Sequence, residues 1–266
     1  MSERLPISVC IIAGAEANRI GRALESVESW TTEIIVLLNE DVRDGTEEVA
    51  RKFGAQVYRE PWKGYIQQKN SVADKATQPW LLGLDCDEVV SPRLAAEIQN
   101  WFRGGRQSEH QAYSFPRCSF FCGRWIRHGD WYPDRCVRLW QRGYAHWQGA
   151  EPHDKLEVRG TIGKFRNDLL HYSNLNINNQ LKKIGPYADY FVHECRNRAR
   201  RARWIDLAVR PFWKFLRGYI FRVGFLDGWQ GYYIAWLGSF SNIARYSKLK
   251  EAEIEGDWKQ TPPGSQ

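Results

Sequence analysis

The chain opens by alternating between two hydrophobic periods. Ile7-Ser8-Val9-Cys10-Ile11-Ile12 is a short, almost unbroken apolar run, the pattern of a strand buried on both faces. From Arg19 to Trp30, Ile20, Leu24 and Val27 recur at helical spacing. A second buried strand is predicted over Ile34–Leu38, a short helix over Thr46–Phe53 and a third strand over Gln56–Tyr58. A helix over Ile66–Ala76 and a fourth strand over Trp80–Leu84 follow. Ser91-Pro92 then opens another helix. Serine can cap the unpaired amides of the first turn, and proline fits there because it has no N–H to satisfy. Leu94, Ile98, Trp101 and Phe102 mark the buried face of that helix.

Strand and helix in turn, with short connections, predict an α/β fold with a mostly parallel central sheet flanked by helices. Such sheets bind ligands outside the carboxyl ends of their strands. Glu16, Asn39-Glu40-Asp41 and Asp85-Cys86-Asp87-Glu88 occupy those ends, so a nucleotide is expected there. Carboxylates as close as Asp85-x-Asp87 repel one another unless a cation neutralises them, and hard oxygen ligands suit Mg²⁺ or Mn²⁺. A solvated acidic turn ahead of the Ser91 helix would give the same pattern.

After residue 103 the character changes. Gly104-Gly105 breaks the pattern, and residues 112–147 are rich in Gly, Arg and aromatics, with short β-like runs such as Val137-Arg138-Leu139-Trp140. From Asn178 onward the chain reads as helical, basic and aromatic. Pro211 to Val223 carries Phe212, Trp213, Leu216, Tyr219, Ile220 and Val223 at helical spacing, with Arg210, Lys214 and Arg217 along the other side. That pattern fits a helix lying in a membrane interface, and equally one packed on the rest of the protein. Trp229–Tyr246 is a second aromatic helix candidate.

Composition narrows the class. The 266 residues are 43% hydrophobic and 26% charged, which excludes a disordered chain, a collagen-like fibre and a coiled-coil rod. No apolar run reaches the roughly 18 residues of a spanning helix, and no signal-peptide stretch precedes the first strand, so a cytosolic protein is expected. The net charge of +7 is concentrated: Leu181 to Arg222 holds eleven Lys/Arg against three acids. With 13 Trp in the chain, this points to an anionic partner: membrane surface, nucleic acid or phosphorylated glycan. The six cysteines are scattered and read as reduced thiols. Cys118, Cys122 and Cys136 lack the second close pair that would complete a zinc site.

The sequence also resembles a known family. Ile7-Ser8-Val9-Cys10-Ile11-Ile12 with Glu16 and Arg19-Ile20, then Asp44-Gly45-Thr46, Trp62-x-Gly64-Tyr65-x-x-Gln68-Lys69-Asn70 and Trp80-x-Leu82-x-Leu84-Asp85-x-Asp87-Glu88 are similar to family-2 glycosyltransferases. The likeness continues through Gly123-Arg124-Trp125-Ile126-Arg127, Trp131-Tyr132-Pro133-Asp134, Arg138-Leu139, His153-Asp154 and Leu170-His171-Tyr172-Ser173. It runs on to Phe215-Leu216-Arg217-x-Tyr219, Gly224-Phe225-Leu226-Asp227-Gly228 and Tyr246-x-Lys248-Leu249. Nearly the whole chain is covered, and the branch it resembles is that of lipopolysaccharide-core β-1,4-glucosyltransferases.

This resemblance implies a GT-A fold with a C-terminal helical extension, a nucleotide-sugar donor that is usually UDP-linked, Mg²⁺ or Mn²⁺, and an inverting single displacement. It implies a catalytic domain over 1–177, with a nucleotide-binding half over 1–103 and an acceptor-binding half over 104–177. A basic aromatic extension over 178–260 and a frayed tail over 261–266 complete the expected organisation. By position, Asp87 would ligate the metal, Asp85 would bind ribose or share the metal, and His171 could add an imidazole. Glu16, Asn39, Lys69 and Asn70 fall among the donor contacts. Asp154 is the preferred general base, with Asp130 and Asp134 as competitors.

The sequence departs from the family at Asn39, where an Asp usually grips the nucleoside, and at Ala13 and Ala15, where polar residues are usual. The implied acceptor is a lipopolysaccharide-core or other lipid-linked glycan, reached from the cytoplasm with peripheral contact to an anionic membrane and no nucleic acid. The alternatives are a catalytically inactive envelope-glycan scaffold and a basic aromatic nucleic-acid-binding protein.

Overall fold

The structure is a computed structural model, and it describes residues 4–150, 153–173 and 176–255. The expected tail over 261–266 lies outside the described residues. The chain divides into two compact units, one drawn from Met1–Cys118 and Asp134–Ser173, the other from Ser119–Pro133 and Asn174–Gln266.

In the first unit, the early alternation is present as β1 (Leu5–Ala13), α1 (Ile20–Glu25), β2 (Thr31–Asn39), α2 (Thr46–Lys52), β3 (Gln56–Glu60), α3 (Tyr65–Asp74) and β4 (Trp80–Leu84). A three-residue strand, β5 (Glu88–Val90), precedes α4 (Pro92–Arg103), whose N-cap Ser91 accepts a hydrogen bond from Leu94 N at 3.2 Å. Then come β6 (Ala112–Phe121), whose end and the short β7 (Arg124–Trp125) belong to the second unit, β8 (Asp134–Gln141), the antiparallel pair β9 (Ala145–Ala150) and β10 (His153–Val158), β11 (Ile162–Lys164) and β12 (Leu169–His171).

The main sheet runs β3-β2-β1-β4-β8-β6-β12-β5, with β1–β4 mutually parallel and β8 entering antiparallel to β4. The chain therefore leaves β3 at one edge and crosses to the far side of β1. That reversal opens a crevice outside the carboxyl ends of β1 and β4.

The apolar strands are explained by cores on both faces. Ile7, Val9 and Ile11 pack with Ile20, Leu24, Leu94 and Trp101 on the α1–α4 side, while Cys10, Ile35, Leu37 and Val72 pack with Trp140, Trp147 and Leu156 on the α3 side. Gly83 in β4 lets the Trp140 ring lie flush, since a Cβ there would stand 3.1 Å from the ring. The helix expected over Arg19–Trp30 is shorter. After Glu25 the chain tightens into turns, with Val27 N bonded to Leu24 O, and Trp30 Nε1 donating to Ser26 O.

The second unit is built on α5 (Ile177–Asn197), α6 (Trp204–Leu216) and α7 (Gly228–Ile254), with α5 and α6 both packed on α7. Val192, Cys195, Tyr246 and Leu249 form one small core, and Phe121, Ile126 and Ile234 another. Pro211, expected near a helix start, lies inside α6, and a π-helical turn over Arg217–Phe221 follows. Gly231 is held tightly: a Cβ there would lie 1.9 Å from the carbonyl oxygen of Gly224. Among the described residues no helix is long and apolar enough to cross a membrane.

Candidate active site

The crevice at the β1/β4 reversal is an open cleft of about 810 Å³. The end of β1 supplies Ile12, Ala13 and Gly14, and the following loop supplies Glu16 and Arg19. That loop is ordered by Asp44, which accepts from Ala17 N at 3.1 Å and Thr46 N at 3.1 Å, while Thr46 Oγ1 accepts from Glu16 N at 2.9 Å. These bonds hold the Asp44 carboxyl below its ordinary range, the Thr46 hydroxyl contributing most. Arg19 Nε donates to Glu16 at 2.6 Å. Asn39 at the end of β2 lines the cleft as expected, and so does Asp41, which brings a carboxylate to the edge where Asn39 lacks one.

Lys69 is the hub of the cleft. Only 11% of its side chain is exposed; its ammonium lies 2.8 Å from Asp154 Oδ2 and 3.2 Å from Asp85 Oδ1. The same ammonium sits 4.5 Å from the centre of the Trp147 ring, a cation–π contact. Asp154, carried on β10, thus faces the same cleft as Asp85 and Asp87.

Asp85 is turned inward. Its other oxygen accepts from Arg138 at 2.7 Å, and the same guanidinium nitrogen reaches Glu88 at 2.7 Å. Burial favours the neutral acid at Asp85, but Arg138 and then Lys69 outweigh it and hold the carboxyl well below the usual carboxylate range. Glu88 is fully buried on β5 and also meets Arg117 at 3.2 Å, so it braces the acidic cluster from within the protein and does not line the cleft.

Asp87 meets His171 instead, with Oδ2 and Nε2 3.5 Å apart. Burial pushes the Asp87 carboxyl up, but the hydrogen bond and charge of His171 bring it below its ordinary value. Mg²⁺ takes its ligands at about 2.1 Å, so neighbouring donors around it stand roughly 3 Å apart. The Asp87–His171 pair is close to that spacing, so these two side chains would fit one small hard cation. Among the described residues no three His, Cys, Asp or Glu side chains gather as a metal site. Of the three expected residues, Asp87 and His171 converge, while Asp85 lies in ion pairs with Arg138 and Lys69.

Three other candidates lie elsewhere. Asn70 faces β9, where its side chain accepts from Trp147 N and donates to Trp147 O, each at 2.8 Å; it clamps α3 to that strand and is not a cleft residue. Asp134 pairs with Arg117 at 2.6 Å on the outer end of β8. Asp130, in the second unit, is surrounded by Lys214 and Arg217 at 2.8 Å and Arg222 at 3.4 Å, an anchor for α6 and the turn after it. Reading by spacing placed Asp41 at the strand ends but missed Trp62 and Tyr65 as cleft residues, and Arg138 as the partner of Asp85. Arginine in the middle of an apolar strand such as Val137–Trp140 was the available signal, since a buried guanidinium requires a carboxylate partner.

Comparisons with known proteins bear on the family and the fold. Residues 8–143 match the family described as glycosyl transferase family 2. Over 264 residues the chain is 28% identical to an uncharacterized glycosyltransferase of Rickettsia prowazekii, covering 94% of this chain and 88% of that one. Over 262 residues it is 26% identical to the lipopolysaccharide core biosynthesis glycosyltransferase LpsC of Rhizobium meliloti, covering 96% and 93%. Among solved structures, the mannosyltransferase PcManGT from Pyrobaculum calidifontis, in complex with GDP-Man and Mn²⁺, aligns with a TM-score of 0.53 at 14% identity, over 98% of this chain and 89% of that one. The fold is GT-A. The family match runs from Ser8 in β1 to Gly143 just beyond β8 and takes in Glu16, Asn39, Lys69, Asp85, Asp87 and Arg138, and the chain belongs to glycosyl transferase family 2.

Proposed function

We propose that this glycosyltransferase moves a hexose, glucose by preference, from a nucleotide-diphosphate donor to a lipopolysaccharide-core or other lipid-linked glycan in one metal-dependent, inverting displacement. The observation that carries this reading is the charge of the cleft. Among the described residues that line it, Glu16, Asp41, Asp85, Asp87 and Asp154 face it against Arg19, Lys69 and the imidazole of His171, so a diphosphate entering alone meets an excess of negative charge. The Asp87–His171 pair, 3.5 Å apart, would hold Mg²⁺ or Mn²⁺ there. Bound, the cation supplies charge neutralisation to the diphosphate as it leaves. LpsC, which is similar along its length, supports the lipopolysaccharide-core acceptor, and PcManGT supports a nucleotide sugar with Mn²⁺.

In this reading Glu16, Asn39 and Asp41 contact the nucleoside and ribose, and Arg19 lies beside the diphosphate. The acceptor hydroxyl attacks the anomeric carbon from the face opposite the nucleotide. The new C–O bond forms as the anomeric C–O bond to phosphate breaks, and the proton passes to Asp154. Lys69 fixes the Asp154 carboxylate in place through its 2.8 Å ion pair. The exposed aromatic and basic surface of the second unit supports work at an anionic membrane face.

The test is sugar transfer and donor hydrolysis with Mn²⁺, with and without chelator. Asp87→Ala is expected to abolish transfer and to remove the Mn²⁺-induced rise in melting temperature while the variant stays folded. Asp154→Asn is expected to lower turnover by about 10²- to 10⁴-fold with donor affinity retained. Wild-type rates in either variant would overturn the corresponding assignment.

A further inference from the structure

The second unit carries a basic hollow that the transfer chemistry does not use. Between the end of α5 and the first turns of α6, Arg200, Arg201, Arg203 and Arg210 surround a space of about 530 Å³, with Ala199, exposed Ile205 and buried Asp206 completing the lining. Asp206 accounts for part of this charge: it pairs with Arg210 and lies 3.8 Å from Arg200, which also donates to the Tyr246 hydroxyl at 2.9 Å. Arg201 and Arg203 are exposed, and among the described residues neither has a carboxylate at ion-pairing distance. Guanidinium forks converging on an open hollow match the geometry and charge of phosphate oxygens.

Directly beside the hollow, α6 turns an apolar stripe outward. Trp204 and Ile205, then Val209, then Phe212 and Trp213 recur one turn apart, with Trp204 85% and Phe212 64% exposed. Soluble surfaces rarely leave so many large apolar groups contiguous. Aromatic side chains flanked by guanidiniums are what a helix seated at the headgroup–acyl boundary requires. Ile205 and Val209 offer nothing to a stacked base, so hydrocarbon suits the stripe better than a nucleic acid does.

We propose that this hollow binds the phosphate-bearing headgroup of a membrane lipid, with the α6 stripe seated among acyl chains next to it. The site deepens the membrane reading above and rests on it. Its chemistry lies wholly within the second unit.

The test uses the full chain and sedimentation with vesicles of phosphatidylcholine alone, with phosphatidylserine, or with phosphatidic acid at equal mole fraction. Binding is expected to be tightest to phosphatidic acid, whose phosphate monoester presents the most oxygens. Arg201→Gln with Arg203→Gln should weaken that binding about thirtyfold. Arg201→Lys with Arg203→Lys, which keeps the charge but not the fork, should remove the preference over phosphatidylserine. Trp204→Ser should weaken binding to all three vesicles.

Lys182→Gln with Lys183→Gln removes the same charge from an exposed part of α5 and serves as the control. The proposal is overturned if this pair costs as much as the arginine pair, if the lysine replacements keep the wild-type preference, or if a single-stranded oligonucleotide binds as tightly as the vesicles. Donor hydrolysis without lipid reads the first unit separately. Intact hydrolysis with no headgroup preference sinks only this site, and headgroup binding with no hydrolysis sinks only the transferase mechanism.

Discussion

Lys69 of α3 and Asp154 of β10 are joined across 85 positions of sequence by a 2.8 Å ion pair, and the same ammonium reaches Asp85 at 3.2 Å. One cation therefore sets the positions of two carboxylates that come from different parts of the chain.

Lys69→Met keeps the length of the side chain and removes this link. Asp85 and Asp154 then face each other across the cleft with no charge between them. Transfer is expected to fall by about 10²- to 10³-fold, measured as turnover at saturating donor and Mn²⁺, while circular dichroism stays unchanged. Activity within a few-fold of wild type would remove Lys69 from the machinery.

Arg138→Met tests the brace behind the site. Arg138 is 6% exposed and ion-pairs with Asp85 and the fully buried Glu88. Removing one partner of such a cluster leaves buried negative charge uncompensated, at a cost of about 3–5 kcal/mol. Urea denaturation should show the midpoint falling accordingly. Arg138→Met combined with Glu88→Leu is expected to recover part of the loss.

The pH dependence of stability follows from Asp85. Its carboxyl is held well below the usual range when folded, so the unfolded chain takes up a proton at higher pH than the native protein does. Its stabilisation is complete above the unfolded value of about 4 and is lost as pH falls from there through the lowered native value. The stability gap between wild type and Asp85→Asn should be constant from neutral pH down to about pH 5 and shrink below about pH 4. A gap that grew on acidification would contradict the ion-pair arrangement.

Gly231→Ala probes the second unit. The new Cβ would fall 1.9 Å from a backbone oxygen, where no rotamer change relieves the clash. A loss of at least about 3 kcal/mol is expected, seen as an early thermal transition. Gly185→Ala in α5, where nothing lies within 4 Å of the added carbon, should leave the transition in place.

The strands of the parallel half were legible because β1, β2 and β4 are buried on both faces and announce themselves as apolar runs. The carboxylates at their ends were legible for the same reason, since a strand end in a parallel sheet has a fixed chemical meaning. The direction each carboxylate faces was not. Asp85 and Asp87 are two positions apart, yet one turns to Arg138 and the other to His171, and both partners come from strands formed much later in the chain.

Asp130, Asp134 and Asp154 look alike in sequence, and only the distribution of basic partners separates them. Asp130 is surrounded by three cations of the second unit, Asp134 is paired outside the cleft, and Asp154 is the one that Lys69 draws into it. β5 was too short to show any period, so Glu88 read as part of the acidic turn and not as a buried brace.

The late arrival of Arg138, Asp154 and His171 bears on biosynthesis. A nascent chain that has emerged only through α4 already carries Lys69, Asp85, Asp87 and Glu88 but not Arg138, Asp154 or His171. Lys69 can already meet Asp85 in such a chain, but Asp85 and Glu88 gain Arg138 only with β8, and Asp87 gains His171 only with β12. A fragment that ends before His171, nearly two-thirds of the way along the chain, therefore lacks the Asp87–His171 pair on which the proposed cation site depends.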